Sequence, residues 1–150
     1  MAGEVEDAIP LGRLERLAGY RLRRAFHAFR LDFARALEGT GMRQAPLGVL
    51  SAVAANPGVS QGAVGRALGI QRANMVALVG ELVERGLVER RSSESDRRAF
   101  ALSATPAGAD LLADCLRRID AHEERMLAGL SGPERAVLLD LLARVEARAR

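Results

Sequence analysis

Residues 69–108, GIQRANMVALVGELVERGLVERRSSESDRRAFALSATPAG, change their hydrophobic period part-way along. Met75, Leu78, Val79 and Leu82 recur at i, i+3, i+4 and i+7, the apolar stripe of a helix of about fifteen residues that Gly86 ends. Beyond Gly86 the stretches Leu87–Arg91 and Arg98–Leu102 read as extended. The polar run Ser92–Arg97 between them makes a β-hairpin with a charged tip. A lone hairpin is too small to be stable, so this one must pack on the helices before it. Thr105-Pro106 then supplies an N-cap followed by Pro at the first position of a new helix.

Upstream, Ser60 stands where an N-cap belongs, ahead of a short helix Gln61–Leu68. Gly69 breaks that helix, and only Ile70 and Gln71 separate it from the next. Helix, tight turn, helix and basic hairpin is the order of a winged helix-turn-helix. Another helix, Pro46–Ala55, closes at Asn56-Pro57-Gly58. Before it, Leu11, Leu14, Ala18, Leu22, Ala25, Phe26, Phe29, Phe33 and Leu37 keep steps of three and four. They predict one long amphipathic helix of about 28 residues, stopped by Gly39-Thr40-Gly41. So long a helix has few partners within so small a chain, and part of its face is expected to meet another subunit. Downstream, Leu112, Cys115, Leu116, Ile119, His122 and Met126 share the stripe of a helix from Pro106 to about Leu127. Ser131-Gly132-Pro133-Glu134 is a capping box that opens a last helix, with Val137, Leu138, Leu141, Leu142 and Val145 expected inward. The fold class is therefore mainly α with a small β-hairpin wing.

Composition limits what such a fold can do. All 22 basic residues are Arg, against 19 acids, for a net charge of +3. The pI of 10.3 overstates the cationic character at neutral pH, because no Lys titrates near about 10.4. The positive charge is concentrated, +5 over residues 11–43 and +2 over 56–98, after a −3 segment at residues 1–10. Charge alone does not identify a nucleic-acid partner. A single cysteine, Cys115, excludes an internal disulfide and a Cys-rich zinc site and suits a reducing cytoplasm. No apolar run is long enough to span a membrane and the first ten residues lack a signal-like core, so a soluble cytoplasmic protein is expected, with no membrane partner. Two His, one Cys and scattered carboxylates form no nucleophile–base pair, metal cluster or phosphate loop. The expectation is a protein that is not an enzyme and needs no cofactor and no metal. Cys115 and His122 lie two turns apart on one helix, too far to bind one ion together.

At this point the residues resemble a known family. Residues 69–108 resemble the recognition helix and wing of the MarR family of bacterial transcription regulators. The most specific matches are Glu84-Arg85-Gly86-Leu87-Val88, Asp96-Arg97-Arg98 and Thr105-Pro106-Ala107-Gly108. The resemblance implies a winged lobe, residues 44–105, set between dimerisation helices at 11–43 and 106–150. Together these form a single domain over 11–150, preceded by an acidic tail at 1–10. It also implies a homodimer on double-stranded DNA, acting as a repressor at a pseudo-palindromic operator and responding to a small aromatic or anionic effector.

Physical chemistry assigns the parts. A major groove admits one helix, whose first turn points amides and short side chains at base edges and phosphates. Here that turn offers Gln71, Arg72, Ala73 and Asn74, with Ala77 one turn later, and Arg72 and Asn74 are the candidates for base reading. Ser60, Gln61 and Arg66 suit phosphate contacts. Arg97 and Arg98 at a narrow hairpin tip suit the minor groove. The resemblance gives that contact to Arg98 and makes Asp96 the salt-bridge brace of the hairpin. Val76, Ala77 and Ala104 depart from the common pattern, and the apolar Val76–Ala77 face confines base contacts to the helix tip.

Other features admit two readings. Phe26, Phe29 and Phe33 could line an aromatic-effector pocket, with Tyr20 beside them and His27 and Arg30 as polar partners. Their i, i+3, i+7 spacing is equally that of a core stripe, and the core reading is preferred. Arg21, Arg23 and Arg24 could meet DNA or an anion, with an ordinary solvated face preferred. Cys115 reads as a buried thiol; the cysteine that some family members use to sense peroxide, near the start of the first helix, is absent. The alternative function, motivated by Val76 and Ala77, is a winged-helix protein–protein interaction module without DNA binding.

Overall fold

The computed structural model describes residues 9–92 and 100–149. A 3-10 turn, Gly12–Arg16, leads into α1 (Ala18–Ala36) and α2 (Gln44–Ala55). The strand β1 (Val59–Ser60) precedes α3 (Gln61–Leu68) and α4 (Arg72–Glu84). The hairpin strands β2 (Val88–Ser92) and β3 (Phe100–Ala104) follow, then α5 (Pro106–Met126) and α6 (Gly132–Glu146).

The first helix is shorter than its periodicity predicts. Leu17 adopts φ −87°, ψ 121°, an extended conformation that separates the 3-10 turn from α1. Glu15 closes that turn locally, since its Oε1 accepts from the Leu11 N–H at 2.9 Å and its carbonyl accepts from Arg21 Nε at 2.8 Å. The helix of α4 is also two residues shorter than about fifteen, at 13 residues.

Hairpin pairing matches the change of period, with Val88 opposite Ala104 and Arg90 opposite Leu102. The sequence did not reveal a third strand. β1 pairs antiparallel with β3, Val59 opposite Leu102, which makes the sheet order β1-β3-β2. A two-residue strand carries no periodicity to read, and it forms because the segment before α3 lies along the free edge of β3. The Gly58 N–H donates to the Leu102 carbonyl at 2.8 Å.

The core lies in the winged lobe. Leu47, Val49, Leu50 and Val53 of α2 pack with Val64 of α3, Met75, Val79 and Leu82 of α4, Leu87, Val88 and Leu102 of the hairpin, and Leu112 and Cys115 of α5. By contrast α1 and α6 bury no residue. The expectation that Val137, Leu141, Leu142 and Val145 point inward is corrected: all four are exposed, Val137 and Val145 at 58% each, and Leu138 is only half-buried. Phe26, read as core, is likewise 58% exposed, and Leu116 stands outside the buried part of its stripe. These helices lie at the edge of the single chain, where the chain itself has nothing left to cover them.

Besides the core packing of Leu112 and Cys115, backbone contacts at its first turn fasten α5 to the winged lobe. The Leu87 carbonyl accepts from the Thr105 N–H at 3.0 Å. The Thr105 hydroxyl donates to the Gly86 carbonyl at 2.6 Å and accepts from the Gly108 N–H at 3.0 Å as the helix N-cap. Gly108 is required by this closeness, because a Cβ there would overlap the Leu87 carbonyl oxygen and lie 2.9 Å from its carbon. Backbone cannot yield as a flexible side chain can. Gly108→Ala is therefore expected to lower stability by at least about 2 kcal/mol in urea or thermal unfolding. A loss below about 0.5 kcal/mol would mean that α5 can slide off Leu87 freely.

Candidate nucleic-acid interface

The turn between α3 and α4 sets the interface. Ser60 caps α3, its Oγ accepting from the Ala63 N–H at 3.2 Å. Gly69 takes the left-handed conformation at φ 65°, and the Ile70 N–H donates back to the Gly65 carbonyl at 2.8 Å, closing the turn within two residues. α4 then starts at Arg72 with no side-chain cap. Its first-turn amides lack intrahelical partners, as every helix start does, and its positive dipole end faces outward. Gln71, Arg72, Ala73 and Asn74 are exposed around this start, while Met75 is buried beneath it.

Of the predicted DNA-contacting residues, all but Ala73 and the wing residues fall on two flanks of α4. On one, Ser60, Gln61, Arg66, Gln71 and Arg72 line a single open concavity of about 860 Å³. On the other, Gln71, Asn74 and Ala77 share a second concavity with Arg43 and Glu81. Val76, 53% exposed, lies in the wall of the first. Asp96, Arg97 and Arg98 lie outside the described residues.

Two cations at these flanks were not singled out from the sequence. Arg90 and Phe100 complete the first concavity, with the Arg90 guanidinium 5.9 Å from the Phe100 ring centroid. Strand alternation carries this signal. Val88, Arg90, Phe100, Leu102 and Ala104 share one sheet face, so the face that buries Val88 and Leu102 continues outward to Arg90 and Phe100. Arg43 immediately precedes α2, 38 residues before its partner, and its Nη2 lies 2.6 Å from Glu81 Oε2. Nothing local in the sequence marks that pairing.

A second polar cluster joins α1 to α5. His122 is 1% exposed, and its Nδ1 lies 2.7 Å from Asp32 Oδ2. An ionised carboxylate only accepts, so Nδ1 carries the proton and donates. Arg125 Nη2 donates to the same oxygen at 2.9 Å. Phe29 and Phe33 meet the imidazole edge-on, with centroids 5.5 and 5.9 Å away. The hydrogen bond from His122, then that from Arg125, hold the Asp32 carboxyl below its usual range. The candidate effector contacts lie elsewhere on α1: Tyr20 is half-buried beside Arg23, whereas Phe26, His27 and Arg30 are exposed. None of the four lines either concavity beside α4. Nearby, burial pushes the Cys115 thiol up, against a hydrogen bond with Thr40. Cys115 and His122 thus have separate partners.

Residues 40–99 match the profile of the MarR family. A candidate transcriptional regulatory protein for the hcr operon of Thauera aromatica is 37% identical over 128 residues, 85% of this chain and 77% of that one. The chain belongs to the MarR family. The transcriptional repressor CouR, solved on a 23-mer DNA duplex, superposes with a TM-score of 0.88 at 35% identity, covering 93% of this chain and 99% of CouR. CouR has also been solved with p-coumaroyl-CoA, at TM-score 0.79 and 32% identity over 93% of this chain and 98% of CouR. The PcaV regulator of Streptomyces coelicolor, in complex with its natural ligand, gives 0.83 at 29% identity over 95% and 99%.

This MarR-family chain is a winged helix-turn-helix transcriptional regulator, and its family is one of regulators, not enzymes. No described helix is long and apolar enough to cross a membrane. The Asp32–His122 clasp gives the regulator an acid-sensitive joint. The carboxyl's pKa is lower folded than unfolded, so its stabilisation is complete above the ordinary value of 3.8 and is lost as pH falls through the lower folded value. Asp32→Asn is expected to flatten the loss of stability on acidification below about pH 4. Unfolding midpoints measured from pH 7 to pH 2 check this, and identical acid slopes in the two proteins would contradict it.

Proposed function

We propose that this regulator is a homodimeric, ligand-responsive repressor that binds a pseudo-palindromic operator in the cytoplasm. The observation that carries the reading is the uncapped start of α4, with Gln71, Arg72 and Asn74 exposed around it and Ser60, Gln61 and Arg66 on the adjoining flank. In this reading α4 enters the major groove. Arg72 reads guanine and Asn74 adenine, and Ala73 and Ala77 offer apolar contact to a thymine methyl group. Gln71 stands with them at the helix tip, and Ser60, Gln61 and Arg66 hold the phosphates. Asp96 braces the wing, and Arg97 and Arg98 reach the minor groove.

Dimerisation rests on the apolar residues that one chain leaves exposed. Leu22, Phe26 and Leu31 of α1 and Val137, Leu139, Leu141, Leu142 and Val145 of α6 are too many to leave in water without a partner. Residues 11–43 and 106–150 would thus form the dimer frame, with 44–105 as the reading lobe. Two such lobes would place their α4 helices about 34 Å apart, in successive major grooves.

The effector is a small aromatic or anionic molecule, a class that includes the aromatic thioester held by CouR. Tyr20, Phe26, His27 and Arg30 of α1 are its contacts in this reading. Binding there would favour a dimer geometry whose lobes no longer match the operator spacing. The reading assigns no catalytic chemistry and no metal or cofactor. The exposed apolar pair Val76 and Ala77 favours a protein-binding module instead.

An electrophoretic shift on the DNA flanking its own gene separates the two readings. At low salt and without effector, a discrete complex is expected, and absence of any complex would overturn the repressor reading. Arg98→Ala is expected to weaken the complex at least about tenfold at fixed salt while leaving the dimer intact. Unchanged affinity would remove the wing from the interface.

A further inference from the structure

We propose that Arg43 is a phosphate-binding residue of the DNA interface, held by Glu81 until a duplex phosphate replaces the carboxylate. The proposal rests on the DNA-binding reading above. Gln71, Asn74, Ala77 and Glu81 follow one another along a single side of α4, and Arg43 faces the same concavity from the start of α2. A helix lying in the major groove with its first turn inward turns the near end of that side, Asn74 and Ala77, to base edges and carries its far end, at Glu81, past the sugar–phosphate wall. Glu81 would bring a negative charge toward a polyanion there, and Arg43 stands between them.

The arrangement lets one cation leave without stranding the acid. Glu81 has a second partner, Arg85, whose Nη1 lies 3.7 Å from Oε1. Arg85 is itself pinned to the corner between α1 and α2. Its Nη1 donates to the Gly41 carbonyl at 2.9 Å and to Met42 Sδ at 3.3 Å, and its Nη2 donates to the Thr40 carbonyl at 3.4 Å. The Arg43 side chain is 70% exposed and that of Arg85 30%. Arg85 is therefore the fixed counter-charge and Arg43 the movable one. Solvent screening makes the exposed Arg43–Glu81 pair cheap to break. A guanidinium–phosphate pair is charge-assisted, can be bidentate, and releases a counterion from the duplex.

The test is a salt titration of binding by the full chain, followed by fluorescence anisotropy on a labelled duplex from its own gene's flanking DNA. Wild type, Arg43→Ala, Arg43→Lys, Glu81→Gln and the double variant R43A/E81Q are compared, with unfolding curves as a check that each is folded. Arg43→Ala is expected to lower affinity roughly threefold or more and to reduce the slope of log K against log salt by about 0.9, one phosphate contact. Arg43→Lys should restore the slope. Glu81→Gln should raise affinity roughly two- to fivefold, and that gain should shrink without Arg43, where only the repulsion between Glu81 and the duplex is relieved. An unchanged slope in Arg43→Ala, or weaker binding by Glu81→Gln, would overturn the proposal while leaving the regulator reading intact. A wild-type chain that binds no duplex at low salt would overturn both.

Discussion

The carbonyl of Leu87 fixes the relation between the two halves of the molecule. It receives the Thr105 N–H, and a residue without a side chain, Gly108, lets the first turn of α5 lie directly against it. Leu87 lies three residues beyond the end of α4, with its N–H donating to the Leu82 carbonyl at 2.9 Å. α4, the proposed reading helix, and α5, which runs out to the proposed dimer frame, are thereby tied through backbone, which does not repack as side chains do. The contacts α5 makes farther along, with Asp32 of α1 among them, are related to α4 by this joint together with the core packing of Leu112 and Cys115.

A second set of contacts supports the same geometry from the other side. The corner between α1 and α2 is gripped by Arg85 from the end of α4 and by Arg118 of α5, whose Nη1 donates to the Glu38 carbonyl at 3.2 Å. Thr40 sits in that corner, its hydroxyl donating to the Leu37 carbonyl at 2.6 Å and accepting from the Met42 N–H at 3.1 Å. At the far end, Arg135 of α6 donates to the carbonyls of Leu127 and Leu130, which fixes the turn out of α5. A displacement of α1 would thus reach α4 through the corner and through α5 together. In the proposed mechanism these are the physical routes by which an effector against α1 alters how the lobe meets DNA.

The sequence made the winged lobe readable because its signals are local. Period, caps and breakers lie within a few residues of one another at Ser60, Gly69, Gly86 and Thr105, and each stands where it was expected. Of the readings that failed, one lost to a competing local turn and the others depended on partners distant in sequence or absent from the chain. Leu17 breaks a run that periodicity alone treats as continuous, because Glu15 and Arg21 satisfy a competing local turn. α6 carries apolar residues nearly all round, so its pattern gives no direction, and within one chain that surface meets water. The clasp of Asp32 with His122 spans 90 residues and Arg43 with Glu81 spans 38, separations that no motif announces. Arg90 was within reach, since strand alternation links it to Phe100.

In the proposed repressor, the dimer frame without effector holds the two reading lobes at one spacing. DNA carrying the mapped operator, with about five base pairs inserted between its half-sites, tests that most directly, because half a helical turn moves one half-site to the opposite side of the duplex. Equilibrium binding to the native and the lengthened duplex at the same salt should differ by at least about tenfold in favour of the native one. Equal affinity would contradict the account, since it would mean that each lobe reads DNA independently of the frame.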